Sequence, residues 1–160
     1  MEAIAKKAQV SKGLAYNYFK SKDDILAAII EKRLNEVNAI LDSIPDKQSP
    51  HDKLNYLLEK LLLDVQQNIE LYRLYFTVFL QPGVSPTIAK LSAKIRARSG
   101  GLGKKAQEIF KDLKFPDPAS ETILFFSTVQ GIAMDFVITP ELYPIDKMVK
   151  HLSKKYRGRS

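Results

Sequence analysis

Apolar residues recur every three or four positions along most of the chain, which is the period of amphipathic helices rather than of strands. Leu26, Ile30, Leu34, Val37 and Leu41 mark one helix that starts at Ser21, with Ser21 and Asp24 as N-cap and N3 of a capping box variant. Pro45 breaks the following loop, and Ser49-Pro50 opens a second helix whose stripe is Leu54, Leu57, Leu58, Leu61, Leu62 and Val65. Asn68 to Glu70 is a weak break. Leu71 to Leu80, with Tyr72, Tyr75, Phe76 and Phe79, could be a strand by itself; it reads as helix because its neighbours are helical and nothing offers a partner strand. Gln81-Pro82-Gly83 predicts a turn, and Ser85-Pro86 a helix with Ile88, Leu91, Ile95 and Leu102 inward, loosened at Ser99-Gly100-Gly101. Lys104 to Leu113 continues it with Ala106, Ile109, Phe110 and Leu113 on one side. After Asp117-Pro118 comes the most apolar stretch, to about Ile138, which is predicted to be buried on most sides. Pro140 ends it, and Pro144 opens a last helix with Ile145, Met148, Val149, Leu152 and Tyr156 on one face.

The N-terminal stretch is built differently. Glu2 to Ala8 predicts a short helix with Ile4, Ala5 and Ala8 on one face, and Gln9 and Val10 form a turn in which Val10 plugs two crossing helices. Ser11 suits the N-cap of a second short helix that runs to about Phe19. This is a helix-turn-helix pattern, in which the start of the second helix meets base edges in the major groove and flanking groups grip phosphates. Gly13 lacks a side chain, so the backbone there can come close to DNA.

The run Ile4-Ala5-x-x-Ala8-Gln9-Val10-Ser11-x-Gly13-x-x-Tyr16-x-Tyr18-Phe19-x-Ser21-Lys22, followed by Ile25 and Leu26, resembles the TetR family of transcriptional regulators. It departs from that pattern at Gln9, where Gly is usual, and at Leu14, where Thr is common. The family has a further helix before this one, so the resemblance implies a head that starts at its second helix and lacks the first. It implies DNA contacts by Lys12, Gly13, Tyr16, Tyr18 and Lys22, beside the cap Ser11. Leu14 and Asn17 fall where sequence is read: Leu14 suits a thymine methyl and Asn17 an adenine edge. Phe19 would anchor the helix within the head, with Tyr16 and Tyr18 open to plain packing as the other reading.

Charge agrees with such a head. The chain carries +7 in all, of which residues 1–22 hold +4 and residues 147–160 hold +6, leaving the middle at −3. A basic head on a mildly acidic body suits phosphate binding, although lysine-rich surfaces are common. The C-terminal basic run also suits the negative end of a helix dipole. There is no cysteine, hence no disulfide and no thiolate metal site. Met1 to Ser11 is charged and has no apolar signal core, and no stretch of about twenty apolar residues is seen, so neither secretion nor a membrane span is expected.

Chemistry-bearing clusters are sparse. His51 and His151 lie in no metal-ligand spacing, and His51 reads as a solvated residue in a first turn. Asp23-Asp24 favour a helix start. Gly100-Gly101-Leu102-Gly103-Lys104-Lys105 lacks the spacer and the Ser or Thr of a phosphate loop and reads as a helix break. No enzyme, cofactor or metal is expected. The aromatic set Tyr72, Tyr75, Phe76, Phe79, Phe125 and Phe126, with Val129, is either ordinary core or the wall of a small-molecule pocket, oriented by Tyr hydroxyls, Thr128 and Gln130. Ser127 and Gly131, four apart on the apolar helix, would let another helix approach closely, within the subunit or from a second one.

The expected fold is all-α: a helix-turn-helix head with its connecting helix over residues 1–41, and a helical-bundle body over 49–160. The resemblance implies an effector-binding and dimerising body, with the last two helices pairing with their copies through residues such as Ser127, Gly131, Met148 and Leu152. It further implies a cytoplasmic homodimer that binds operator DNA, most often as a repressor released by a small molecule. The contrasting expectation is a helical binding or dimerisation module that no longer binds DNA because the first helix is gone.

Overall fold

The computed structural model describes residues 1–80, 86, 89–90 and 103–157, including every side chain there except that of Leu41. The elements are α1 (Glu2–Lys7), α2 (Lys12–Tyr18), α3 (Lys22–Asp42), α4 (Pro50–Gln67), α5 (Ile69–Phe79), α6 (helical over 103–112), α7 (Pro118–Ile138) and α8 (Ile145–Arg157). The described residues are all-α. The expected turn at Gln81-Pro82-Gly83, the inward residues Ile88, Leu91, Ile95 and Leu102, and the break at Ser99-Gly100-Gly101 lie outside the described residues.

Side-chain caps set most helix starts. Ser11 Oγ accepts from Leu14 N at 3.1 Å, Ser21 Oγ from Asp24 N at 3.1 Å, Ser49 Oγ from Asp52 N at 3.2 Å and an Asp117 carboxylate oxygen from Ser120 N at 3.1 Å. Each satisfies one backbone donor that the helix leaves open. Hydrogen bonding from the Ser120 side chain, and next from this Ser120 N–H, holds the Asp117 carboxyl below the usual carboxylate range. Asn68 separates α4 from α5 by a single residue (φ −127°, ψ 35°) and donates to Asp64 O at 3.0 Å. The ambiguous stretch after it is helix. At the end of α6, Lys114 takes a left-handed φ of 59° and Phe115 N reaches back to Phe110 O at 3.1 Å, which closes the last turn.

The core is organised around α4, which packs against α3, α5, α7 and α8. Its whole predicted stripe, from Leu54 to Val65, is buried. Beside it Phe110, Phe115, Phe125 and Tyr156 form an aromatic knot with ring centroids 5.4–6.2 Å apart. Tyr156 Oη donates from this knot to Glu121 Oε1 at 3.0 Å, so the one polar tip inside it is satisfied. A smaller cluster joins Ile30, Leu26, Ala27 and Leu34 of α3 to Val78 and Phe79 of α5.

Three expectations about burial fail. Over α1, the turn and α2 only Ala5 is buried; Ile4 and Val10 are 39% and 38% exposed, and Ala8 is exposed too. The two-helix unit is too small for Val10 to be enclosed as a plug. Next, α7 is not buried on most sides. Ile123, Leu124, Met134 and Ile138 share one strip with Ser127 and Gly131, all exposed, and Ile123, Leu124 and Ile138 are each more than half exposed. The opposite side, with Phe125, Val129, Ile132, Ala133 and Val137, faces the core. By length and composition alone Pro118–Ile138 is apolar enough to cross a membrane, a test that the core helix of a soluble fold also passes, and a third of its window is buried in the fold. Finally, His51 is half-buried rather than solvated, with its Nδ1 buried and without a hydrogen-bond partner.

Candidate functional site

Two places concentrate unusual side chains: the outer surface of α2 and a cavity in the body. Helix α2 has no buried residue. It is held by the Ser11 cap, by packing on α1, and by a surface contact of Lys12 Nζ with Glu2 Oε2 at 3.5 Å. Lys12, Gly13, Leu14, Tyr16, Asn17, Tyr18 and Lys22 are all exposed, and so is Ser11. Tyr18 is 75% exposed, which disfavours a pure packing role for it. A Cβ built on Gly13 would meet nothing within 4 Å. Nothing among the described residues therefore requires glycine there. Phe19, by contrast, is half-buried, as an anchor should be.

In the turn before α2, Gln9 has a φ of 56°. This left-handed conformation is costly for any residue but glycine. The departure from Gly at this position is thus a departure at a place where the backbone does call for Gly.

Residues 1–29 match the family model described as bacterial regulatory proteins, tetR family. The chain carries a TetR-family head. No curated protein matches the chain. That head is the helix-turn-helix DNA-binding part of a family of transcription regulators. The match ends inside α3, so whatever the body does rests on its own geometry.

The body holds a cavity of about 250 Å³ between α3, α4, α5 and α7. Tyr72, Tyr75 and Phe76 of α5 and Phe126, Val129 and Gln130 of α7 line it, as the sequence suggested. Three expected members do not. Phe125 is fully buried in the aromatic knot, one helical position round from Phe126. Phe79 stacks toward Tyr75, with centroids 4.6 Å apart, and packs beside Ile30 in the smaller cluster. Thr128 is exposed and donates to Leu124 O of its own helix at 2.8 Å.

The larger omission is α3. Ile30, Arg33, Leu34 and Val37 form a whole wall of the cavity, and sequence reading assigned this helix only to connection. The signal was present: an arginine sits at position 33 beside the apolar stripe, where its side chain can be carried inward. Arg33 Nη1 donates to Glu36 Oε2 at 2.6 Å, its Nη2 pairs with Asp64, and its guanidinium lies 5.8 Å from the centre of the Tyr72 ring. Tyr72 Oη donates to Asp64 Oδ2 at 2.8 Å and Asn68 Nδ2 to Asp64 Oδ1 at 3.1 Å. Burial pushes the Tyr72 and Tyr75 hydroxyls above the ordinary phenol range, with Arg33 partly opposing the rise at Tyr72. Both therefore stay protonated at neutral pH.

For the expected pairing residues the picture is divided. Ser127 and Gly131 lie on the exposed strip of α7, and Met148 is half-buried. Leu152 is turned inward and is 5% exposed, because the amphipathic face of α8 packs on α4. It belongs to the subunit core. Among the described residues no three acidic or histidine side chains gather as a metal site.

Proposed function

We propose that the chain is an effector-responsive transcriptional repressor acting as a homodimer, with residues 1–41 as its DNA-reading head and 49–160 as its effector-binding and dimerising body. The observation that carries this reading is the position of α3. Its first turns belong to the matched head, and its next two turns supply Ile30, Arg33, Leu34 and Val37 to the cavity wall. A small molecule held in the cavity touches the same rigid helix that carries the head. It acts by binding one setting of that helix more tightly than another. The head reads DNA with Leu14 and Asn17 and grips phosphate with Lys12, Tyr16, Tyr18 and Lys22, Ser11 and Gly13 shaping the approach. A chain that binds operator DNA works beside the chromosome, in the cytoplasm.

The dimer rests on the α7 strip. Ile123, Leu124, Met134 and Ile138 offer apolar area, and Ser127 and Gly131 let a second backbone come close. A two-fold pair presents two α2 helices to successive major grooves of a near-palindromic site.

The test is binding of a duplex from the promoter beside its own gene, followed by fluorescence anisotropy at several salt concentrations. Affinity is expected to fall steeply with salt, and Lys22→Ala to weaken binding and lower the salt slope by about 1. Tyr16→Ala is expected to weaken it as well. Binding no tighter than to random duplex would defeat the regulator reading and leave a helical binding module.

A further inference from the structure

Resting on that effector reading, we infer that the ligand is a neutral, largely apolar molecule carrying one hydrogen-bond acceptor, such as a ketone, ester or amide carbonyl, and that Arg33 Nε–H is the donor that receives it. The argument begins with the donors of Arg33. Its Nη1 donates to Glu36 and its Nη2 is charge-paired with Asp64, while Nε is buried with neither an ion-pair nor a hydrogen-bond partner among the described residues; Nη2 too is buried, with that ion pair as its one contact there. An unpaired buried donor is costly, and a ligand acceptor would remove the cost. Of the side chains lining the cavity, Arg33 is the charged one, and the rest are aliphatic or aromatic apart from Gln130 and the Tyr hydroxyls.

An arginine in an apolar cavity suggests an anionic ligand at first sight. The charge balance argues otherwise. The guanidinium is already matched by Asp64, which is itself largely buried and held by Tyr72 and Asn68. Glu36 adds a second carboxylate, countered at the surface by Lys32 Nζ 3.9 Å away. A ligand carboxylate would either sit as an unmatched charge in this enclosure or displace Asp64 and leave that charge buried alone; both are heavily penalised. A ligand ammonium would face the guanidinium directly. A carbonyl oxygen needs only the open N–H. The aromatic wall of Tyr72, Tyr75, Phe76 and Phe126 suits a ring or short chain as the apolar part, and the cavity volume limits the ligand to a small one.

Three probes of matched size separate the possibilities: 4-phenyl-2-butanone, 3-phenylpropanoate and 3-phenylpropylammonium, each titrated calorimetrically into the full chain at neutral pH up to millimolar concentration. The ketone is expected to bind at least about tenfold more tightly than either ion, the scale of one charge-assisted hydrogen bond. Arg33→Met removes the donor but strands Asp64, so the double variant Arg33→Met with Asp64→Leu, which removes the pair together, is the decisive one. It is expected to keep the helical circular-dichroism spectrum and to lose about tenfold in ketone affinity. Equal or tighter binding of the carboxylate or the ammonium overturns the inference while leaving the effector reading intact. So does unchanged ketone affinity in the double variant. If none of the three binds to the folded chain, the cavity is not an effector site, and the inference falls together with the reading beneath it.

Discussion

At the scale of single residues, the informative positions are those whose identity the fold does not require. Gly13 is one: it lies in the first turn of α2 with open space where a side chain would stand. Gly13→Ala is therefore expected to leave the isolated protein as stable as before, or to raise its stability by up to about 1 kcal/mol, as alanine favours helix. The same change is expected to cost about tenfold or more in operator affinity, equivalent to about 1.4 kcal/mol. Thermal melts and anisotropy on one preparation check both halves, and a parallel loss of stability would remove the argument that glycine serves the DNA approach. Tyr75 gives a pH signature. Burial raises its phenol, so the folded state holds that proton more tightly than the unfolded state does. Stability is then unaffected below about pH 10 and falls as the pH climbs above it. Urea denaturation at about pH 9 and about pH 11 should show that fall, and Tyr75→Phe should make it shallower. The cap Ser11 was legible because a short polar motif dictates local geometry directly, whereas the outward set on α2 came from the family resemblance. Sequence alone could not give the ion pair of Arg33 with Asp64, whose partners lie thirty-one residues apart on different helices.

At the scale of elements, periodicity served well wherever one face meets the core and the other meets water. The stripe of α4 was legible in full for that reason, and α5 was legible as helix once its neighbours were weighed. It served poorly for α7. A helix that is apolar all round carries no phase in its sequence, so the pattern could not say that Phe125 points into the knot while Ile123 and Leu124 point out. It misjudged α8 in the opposite sense: Leu152 was expected to pair with a second subunit, yet the helix spends its apolar face on the subunit's own core. The outer strip of α7 belongs to the proposed dimer. Ile123→Glu combined with Ile138→Glu changes exposed positions only, so the monomer fold should shift by no more than about 0.5 kcal/mol per site. Sedimentation velocity should then move from dimer to monomer. A pair of charges that leaves the dimer intact would assign the interface elsewhere.

At the scale of the whole molecule, the head and the body overlap in α3. The division at residue 41 read from sequence follows the chain but cuts across the mechanics, since the cavity wall begins at Ile30 and the family match ends at residue 29. The N-terminal half of α3 packs on Val78 and Phe79, at the end of the same α5 that supplies Tyr72, Tyr75 and Phe76 to the cavity. Helices α3 and α5 thus share both a small apolar cluster and the cavity wall. That shared wall was not legible from the sequence, because a connecting helix and a wall-forming helix have the same periodicity.

The overlap also has a bearing on descent. On the proposed reading, one of the four helices around the cavity is tied to operator reading and three are not. Substitutions at Tyr75, Phe76, Phe126 or Gln130 can change which molecule is admitted without disturbing the head, and copies of the gene are free to diverge there after duplication. If the cavity is the effector site, substitutions at Arg33, Leu34 or Val37 are expected to alter recognition and transmission together, so a lineage that changes its chemical signal by that route would have to adjust its promoters at the same time. The side chains of α5 and α7 are where such lineages are expected to explore, and α3 is where their shared history should be retained.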